Sequence, residues 1–240
     1  MEKKRTIITG ASGEIGMAIA KELVSHGHSL LLHFHQNKRA IDQLKEQIPD
    51  EQIINVIQSD LSTREGIESF VQQLPSDIDH VIYTSGMAYV GLFQDMNEQD
   101  MDTMVQLHVK APWKITQTVI PEMIRNKFGR IILISSIWGE VGASCEVAYS
   151  TVKGAQNAFV KSLAKELGPS NISVNGVSPG FIDTKMNQFF SAEEKAALIE
   201  EIPLQRAGTP QDVAHAVQFL CSERSSYIQG ELMRVNGAWG

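Results

Sequence analysis

The sequence predicts an α/β fold built on a doubly wound parallel sheet. Short apolar runs rich in β-branched residues alternate with longer segments of helical period, which is the pattern of strand–helix–strand units. The chain of 240 residues is long enough to bury a substantial core within one domain. These observations favour a single Rossmann-like domain over residues 1–240, with about seven strands and with helices on both faces of the sheet.

Each strand is predicted from a short run of Ile, Leu or Val. The predicted strands are 5–9, 29–34, 53–58, 80–84, 130–135, 172–177 and 232–235. Ile15, Ile19 and Leu23 recur at four-residue spacing and predict a helix that stops at Gly27. Helical patterns also cover 99–126, 149–167, 192–201 and 211–221. A helical lid over a pocket is expected within residues 180–203.

Composition and charge argue against several kinds of partner. The formal net charge is −7, whereas nucleic acids and phospholipid surfaces are bound by clustered Lys and Arg. The start of the chain, MEKKRTIITG, lacks the apolar stretch of a secretory signal. Cys145 and Cys221 fit no metal-ligand spacing. We therefore expect a cytoplasmic protein without nucleic-acid, membrane or metal partners.

A glycine-rich turn follows the first predicted strand and opens the first predicted helix. Such a turn lets backbone N–H groups at a helix N-terminus approach a pyrophosphate. A tight turn without a ligand has a similar local pattern, so it is the order of strand, turn and helix that favours a dinucleotide here. The candidate cofactor contacts are Gly10, Ser12, Gly13, Glu14, Ile15 and Gly16.

A tyrosine and a lysine four residues apart form the candidate catalytic pair. On a helix, Tyr149 and Lys153 share one face. An ammonium beside a phenol stabilises the phenolate, so it is expected to lower the pKa of Tyr149 toward neutral pH, as a proton donor to an alkoxide requires. Ser136 directly follows the fifth predicted strand, at the carboxyl edge of the sheet. Its hydroxyl would hold a substrate carbonyl there.

These motifs resemble those of the short-chain dehydrogenase/reductase family along nearly the whole chain, and within it the 3-oxoacyl-[acyl-carrier-protein] reductase type. Further matching segments are Ser59-Asp60-Leu61, the run 177–184 and the closing Val235-Asn236-Gly237. The resemblance implies reduction of a ketone with Tyr149 as proton donor, adenine contacts from Asp60 and Leu61, and a homotetramer. It also implies nicotinamide contacts from Pro179, Gly180, Ile182 and Thr184.

Two positions depart from the family pattern. Most members have Asn where this chain has His108, and its backbone there helps to hold a proton-relay water near the active-site lysine. His108 would either donate a hydrogen bond in a similar way or simply pack. The usual Asn-Asn-Ala-Gly after the fourth strand is replaced by residues 83–86, of which Ser85 and Gly86 are the candidate cofactor contacts.

The choice of cofactor depends on the end of the second strand. NAD-specific members usually place Asp there to bind the ribose diol, and residues 33–39 contain no acid. His35, Asn37 and Lys38 would receive a 2′-phosphate, which favours NADPH and leaves NADH as the alternative. Glu14 argues the other way, because NADP-preferring relatives often carry a base at that place.

Glu146 is the candidate substrate contact, since an acid three residues before Tyr149 would pair with a cationic ketone, although a solvent-facing Glu has the same pattern. One member type reduces the 5-aminopentanone group on modified elongation factor P, which makes this ketone the first candidate. One alternative is a 3-oxoacyl group on acyl carrier protein, for which Arg125, Lys127 and Arg130 form a candidate basic patch. Another is a non-catalytic regulator that senses a dinucleotide.

Overall fold

The computed structural model describes residues 4–187 and 190–240, and these contain a seven-stranded parallel sheet. The strands are β1 Arg5–Thr9, β2 Ser29–Phe34, β3 Ile53–Gln58, β4 His80–Tyr83, β5 Gly129–Ile134, β6 Ile172–Pro179 and β7 Leu232–Val235. Every predicted strand is present, with ends that differ by at most two residues. Residues 1–3 and residues 188–189 of the predicted lid lie outside the described part of the chain.

The strands follow the spatial order β3-β2-β1-β4-β5-β6-β7. The chain returns to the centre of the sheet between β3 and β4, so the carboxyl ends of β1 and β4 flank a crevice of the kind in which open α/β proteins bind ligands. In the sheet centre, Ile7 of β1 pairs with Leu31 of β2 and with Val81 of β4. All three are buried, as expected for a parallel sheet covered on both faces.

Helices cover both faces of the sheet. They are α1 Glu14–Ser25, α2 Lys38–Lys45, α3 Arg64–Gln72, α4 Glu98–Val105, α5 Ala111–Asn126, α6 Trp138–Val141, α7 Val147–Leu167, α8 Ala192–Glu201 and α9 Pro210–Cys221. One apolar core lies between the sheet and helices α1, α2 and α9, and a second lies between the sheet and helices α3, α5 and α7. The predicted fold class is therefore confirmed. Among the described helices, none has the length and apolar character needed to cross a membrane.

The sequence prediction omitted α2 and α3. Both are short, with eight and nine residues, and bury only two or three residues each, so few turns repeat the helical pattern. Their capping residues are clearer signals: the side chains of Asn37 and Thr63 accept hydrogen bonds from the N–H groups of Ala40 and Gly66. A search for capping residues would have found both helices.

The predicted helix 99–126 is wrong in one respect, because a π-helical turn, Gln106–Lys110, separates α4 from α5. Pro112 lacks an N–H group, so it cannot donate to the carbonyl of His108 four residues earlier. Carbonyls in the turn are satisfied from other elements instead. The Tyr83 hydroxyl donates to Leu107, and the Gln156 side-chain amide donates to His108 at 2.8 Å.

Candidate active site

The glycine-rich turn joins β1 to α1 at the carboxyl edge of the sheet. Gly10 has a φ of 65°, in the left-handed region that favours glycine, and a Cβ atom there would lie 3.0 Å from the Ser85 backbone. A Cβ atom on Gly16 would clash with the Gly10 carbonyl oxygen. Gly13 is exposed and immediately precedes α1, and Ser12 is partly exposed beside it. The turn is therefore tight on its inner side and open at the helix N-terminus, where a pyrophosphate would bind.

His33 holds this turn in place, a role that the sequence analysis missed. Its Nδ1 accepts a hydrogen bond from the Gly10 N–H at 3.1 Å, and its Nε2 lies 3.0 Å from the Ser59 carbonyl oxygen. One imidazole tautomer makes both bonds, with Nδ1 bare and Nε2 protonated. Burial lowers the pKa of His33 to about 4, so the ring is neutral at physiological pH. The sequence feature that could have predicted this role is a histidine near the end of β2, the strand next to β1 and its glycine turn.

The loop after β4 packs against the same turn. The Thr84 hydroxyl donates to the Thr9 carbonyl at 2.5 Å, and the Ser85 N–H donates to the Thr9 hydroxyl at 3.2 Å. Gly86 faces the His108 ring, since a Cβ atom there would lie 3.0 Å from its Cε1 atom. The loop thus keeps a close backbone approach although its sequence departs from the family pattern.

The residues predicted to bind the adenine end meet where β2 and β3 end. Asp60 is partly buried and accepts hydrogen bonds from the Ser62 N–H and hydroxyl at 2.9 and 2.6 Å. The exposed His35 lies 3.6 Å from the second Asp60 oxygen, whereas Leu61 is buried in the core. One Asp60 oxygen is therefore bound to Ser62, and the other, which faces His35, is the one left to contact a cofactor.

Two other residues predicted to receive a 2′-phosphate have local partners. Asn37 caps α2, as described above, and Lys38 pairs with Asp42 at 2.9 Å on the same helix. Both are exposed, and an exposed ion pair of this kind is weak. A phosphate bound here would compete with these contacts.

The candidate catalytic residues do meet at the carboxyl end of β5. Ser136 follows that strand, and Tyr149 and Lys153 lie one turn apart on α7. The Lys153 Nζ atom is 5.5 Å from the centre of the Tyr149 ring and donates to the Ile134 carbonyl at 2.8 Å. These three side chains line one pocket together with Ile15, Gly86, Pro179, Gly180, Ile182 and Thr184. The residues predicted for nicotinamide binding and for catalysis thus share a single pocket.

Electrostatics at this pair differ from the sequence expectation. Burial raises the pKa of Tyr149, and the charge of Glu146 adds to the rise, while a hydrogen bond from the Ser136 hydroxyl opposes it. The prediction that Lys153 lowers the pKa of Tyr149 is therefore wrong, because desolvation of the buried phenol is the largest effect. Burial also lowers the pKa of Lys153 to about 7. The tyrosine therefore holds its proton at neutral pH, as a proton donor must.

His108 packs against the catalytic tyrosine. Its ring meets the Tyr149 ring edge-on with centroids 5.8 Å apart, and its Nε2 lies 2.9 Å from the Met87 carbonyl oxygen. Burial, with a smaller effect of Lys153, lowers the pKa of His108 to about 3, so this ring is neutral. Of the two roles considered for its side chain, these contacts favour packing.

The front of the pocket is aromatic and acidic. Trp138 and Trp239 meet with ring centroids 5.0 Å apart, and Phe190 lines the same pocket. Glu146 is half-buried there, and burial raises the pKa of its carboxyl group. Within the described residues, no cation lies within ion-pair distance of Glu146. Glu146 was predicted from the sequence, whereas neither tryptophan was; Trp239 in particular is brought to the pocket from the far end of the chain by the fold.

Glu14 contacts the predicted lid. Its carboxylate accepts a hydrogen bond from the Lys185 N–H at 2.6 Å, across 171 residues of sequence. Its side chain is thus directed to the segment after β6, which makes Glu14 a link between the glycine turn and that segment. Met186, Asn187, Phe190 and Leu198 of the same segment line the pocket.

Only part of the candidate basic patch for a carrier protein lies at the surface, because Arg125 and Lys127 are exposed and Arg130 is not. Arg130 is only 4% exposed, and its guanidinium lies over the Phe128 ring. Arg125 is paired with Glu122 of its own helix. The prediction was wrong for Arg130, which is part of β5, where its position in the sheet buries the side chain.

Known reductases and oxidoreductases match this chain along nearly its whole length. A family model described as "Enoyl-(Acyl carrier protein) reductase" matches residues 10–239. The uncharacterized oxidoreductase YmfI of Bacillus subtilis is 46% identical over 238 residues, which cover 98% of each chain. The 3-oxoacyl-[acyl-carrier-protein] reductase FabG of Aquifex aeolicus is 36% identical over 242 residues, covering 99% of this chain and 97% of that protein.

A solved structure is similar as well. YwfH, described as an NADPH-dependent reductase involved in bacilysin biosynthesis, has a TM-score of 0.89 and 28% identity over 98% of each chain. The fold and the pocket define a Rossmann-type oxidoreductase. More particularly, the chain belongs to the short-chain dehydrogenase/reductase family, as the family model and these relatives show.

Proposed function

We propose that this protein reduces a ketone to a secondary alcohol with NADPH, and that Tyr149 donates the proton. The observation that carries the proposal is the common pocket of Ser136, Tyr149 and Lys153 with Ile15 beside the glycine turn and with the residues predicted to bind the nicotinamide. A bare dinucleotide sensor would not need this arrangement of hydroxyl, phenol and ammonium. Turnover is the first test, because binding of a dinucleotide without reduction of any carbonyl would favour the regulator.

The residues present fit a dinucleotide. The glycine turn leaves the N-terminus of α1 open for a pyrophosphate, and the Ser85 hydroxyl is buried without a hydrogen-bond partner among the described residues. When bound, the dinucleotide supplies the hydride. The NADPH dependence of the similar reductase YwfH supports NADPH, as does the absence of an acid in residues 33–39. A higher kcat/KM with NADH than with NADPH would overturn the preference.

The chain's own groups would manage the proton. The Ser136 hydroxyl holds the substrate carbonyl oxygen beside the phenol, and Tyr149 transfers its O–H proton to that oxygen as the alkoxide develops. The O–H bond of the phenol breaks, the O–H bond of the alcohol forms, and the negative charge passes to the phenolate. Lys153, whose ammonium lies beneath the ring, stabilises this phenolate.

For the substrate, we propose a ketone that carries an amine, with the 5-aminopentanone group of modified elongation factor P as the candidate. A half-buried carboxylate with no cationic partner in the described part of the chain favours binding of a cation, and it would regain its ordinary pKa on binding one. Trp138 and Trp239 add aromatic faces, which also attract cations. A 3-oxoacyl group on acyl carrier protein is the second candidate, supported by the similarity to FabG.

A matched pair of ketones separates these candidates. The protein is incubated with NADPH and either a free 5-aminopentanone or the same pentanone without its amine, then with modified elongation factor P and with a 3-oxoacyl carrier protein. We expect Glu146→Gln to lower kcat/KM for the aminoketone about tenfold, since a hydrogen-bonded charge is lost, and to leave the neutral ketone unchanged. Glu51→Gln, at an exposed site, is the control. Turnover of the thioester alone, unaffected by Glu146→Gln, would remove the aminoketone proposal.

A further inference from the structure

A buried glutamine lies against the catalytic lysine. Gln156 lies three residues further along α7 and is 2% exposed, and Lys153 is 4% exposed. The Lys153 ammonium donates to the Gln156 side-chain oxygen at 3.2 Å, and the Gln156 side-chain nitrogen donates to the His108 carbonyl at 2.8 Å. One amide thus connects the catalytic helix to the π-helical turn.

The chemistry of the two neighbours sets the orientation of this amide. An ammonium can only donate, and a carbonyl can only accept, so the oxygen of Gln156 must face Lys153 and its nitrogen must face His108. The His108 carbonyl is available because Pro112, four residues later, has no N–H group to donate. The neighbouring Leu107 carbonyl is taken by the Tyr83 hydroxyl. The bond to the His108 carbonyl holds the Gln156 amide in one orientation. The Gln156 oxygen is therefore a fixed acceptor for Lys153.

We propose that Gln156 is a positioning residue for the ketone reduction, which holds the Lys153 ammonium beneath Tyr149 and keeps it protonated. This inference rests on the proposed function of Tyr149 and Lys153. With one N–H directed to the Ile134 carbonyl and another to Gln156, the third N–H of the ammonium is left to serve the tyrosine side. Loss of the glutamine would remove an acceptor that favours the charged lysine.

The ionisable groups around Lys153 are few. Tyr149 lies on the same helix one turn earlier, His108 faces the pair from the π-helical turn and is neutral, and Glu146 acts on Tyr149 from the start of α7. Because the phenolate needs the ammonium, we expect turnover to fall on the alkaline side as Lys153 loses its proton. The position of that alkaline limb is the readout.

Two near-isosteric variants test the proposal. Gln156→Leu removes the acceptor and should move the alkaline limb of kcat to lower pH by about one unit, whereas Gln156→Glu places a carboxylate on the ammonium and should move it to higher pH by about one unit. Gln43→Leu and Gln43→Glu, on the exposed face of α2, should leave the limb in place. Opposite shifts are not expected from a merely structural role, which would lower activity without moving the profile.

A direct titration completes the test. The ¹³Cε resonance of Lys153, assigned with Lys153→Met in lysine-labelled protein, should titrate lower in Gln156→Leu and higher in Gln156→Glu than in the native chain. Unchanged titration and unchanged profiles in both variants, or shifts in the same direction, would overturn the proposal. Should Gln156→Leu not fold, the upward shift in Gln156→Glu decides. If the native protein reduces no ketone, the resonance still tests the contact, and only the proposed function fails.

Discussion

The cofactor side and the substrate side of the pocket are built in different ways. On the cofactor side, buried groups hold each other: His33 accepts from Gly10 and donates to Ser59, and Thr9 accepts from Thr84 and Ser85. On the substrate side, Glu146 and Trp239 are partly exposed side chains near the start of α7 and the end of the chain. The first side is preorganised by strand ends, and the second is assembled from loops and helix termini.

This difference implies that the cofactor side serves the reaction itself, whereas the substrate side selects the ketone. A turn that is fixed by buried hydrogen bonds can bind the same cofactor whatever the substrate, and loops around it can vary without disturbing it. Substitutions on the cofactor side should therefore affect every substrate equally. Those on the substrate side should change one ketone relative to another.

Removal of the proton donor, at the boundary of the two sides, should have the largest effect. Tyr149→Phe is expected to lower kcat by roughly 10²- to 10⁴-fold, because general acid catalysis is lost, and to leave the Kd for NADPH nearly unchanged. Steady-state kinetics and a dinucleotide-binding titration measure the two quantities. Tyr227→Phe, at a fully exposed tyrosine, is the matched control. Full turnover in Tyr149→Phe would show that another group supplies the proton.

Acid should weaken the cofactor side through His33. The pKa of His33 is about 4 in the folded chain and about 6.5 when unfolded, so the unfolded state takes up the proton first. Its contribution to stability is present above about pH 6.5 and is lost as the pH falls toward about 4. We expect His33→Gln to reduce the pH dependence of the unfolding free energy in this window by up to about 1.4 kcal/mol per pH unit.

Urea unfolding at several pH values between about 4 and 7 measures this slope. His28 and His108 also have a lowered pKa and supply a background slope in every variant. His215→Gln replaces an exposed histidine and should keep the full native slope. A slope in His33→Gln equal to that of the native protein would mean that the hydrogen bonds of His33 are not lost on protonation.

The smallest effect is expected at the aromatic wall. Trp239→Leu removes a face of the pocket and a hydrogen bond to Glu201 of 3.2 Å, and should raise the KM of an amine-bearing ketone by a few-fold, roughly the value of a cation–π contact. The KM of NADPH should not change, because Trp239 lies on the substrate side. An equal rise in both KM values would contradict the division of the pocket into two sides.

Prediction from sequence succeeded where local pattern and structure agree. The seven strands and the meeting of Ser136, Tyr149 and Lys153 could be predicted, because strand ends of a parallel sheet share one edge and residues one turn apart share a helix face. It failed for Arg130, which is buried by the sheet, and for the π-helical turn at Gln106–Lys110, whose carbonyls bond to distant side chains.

By itself, the sequence determined the α/β fold through its periodicity, and the candidate phenol, ammonium and serine hydroxyl through short-range spacing. The family followed from the resemblance of its motifs. Only the tertiary structure decided that His33 holds the glycine turn, that Gln156 donates to the His108 carbonyl, and that Trp239 reaches the pocket. These contacts join residues that are far apart in the sequence and lie on different elements. Desolvation, which sets the pKa of Tyr149 and Lys153, likewise exists only once the chain has packed.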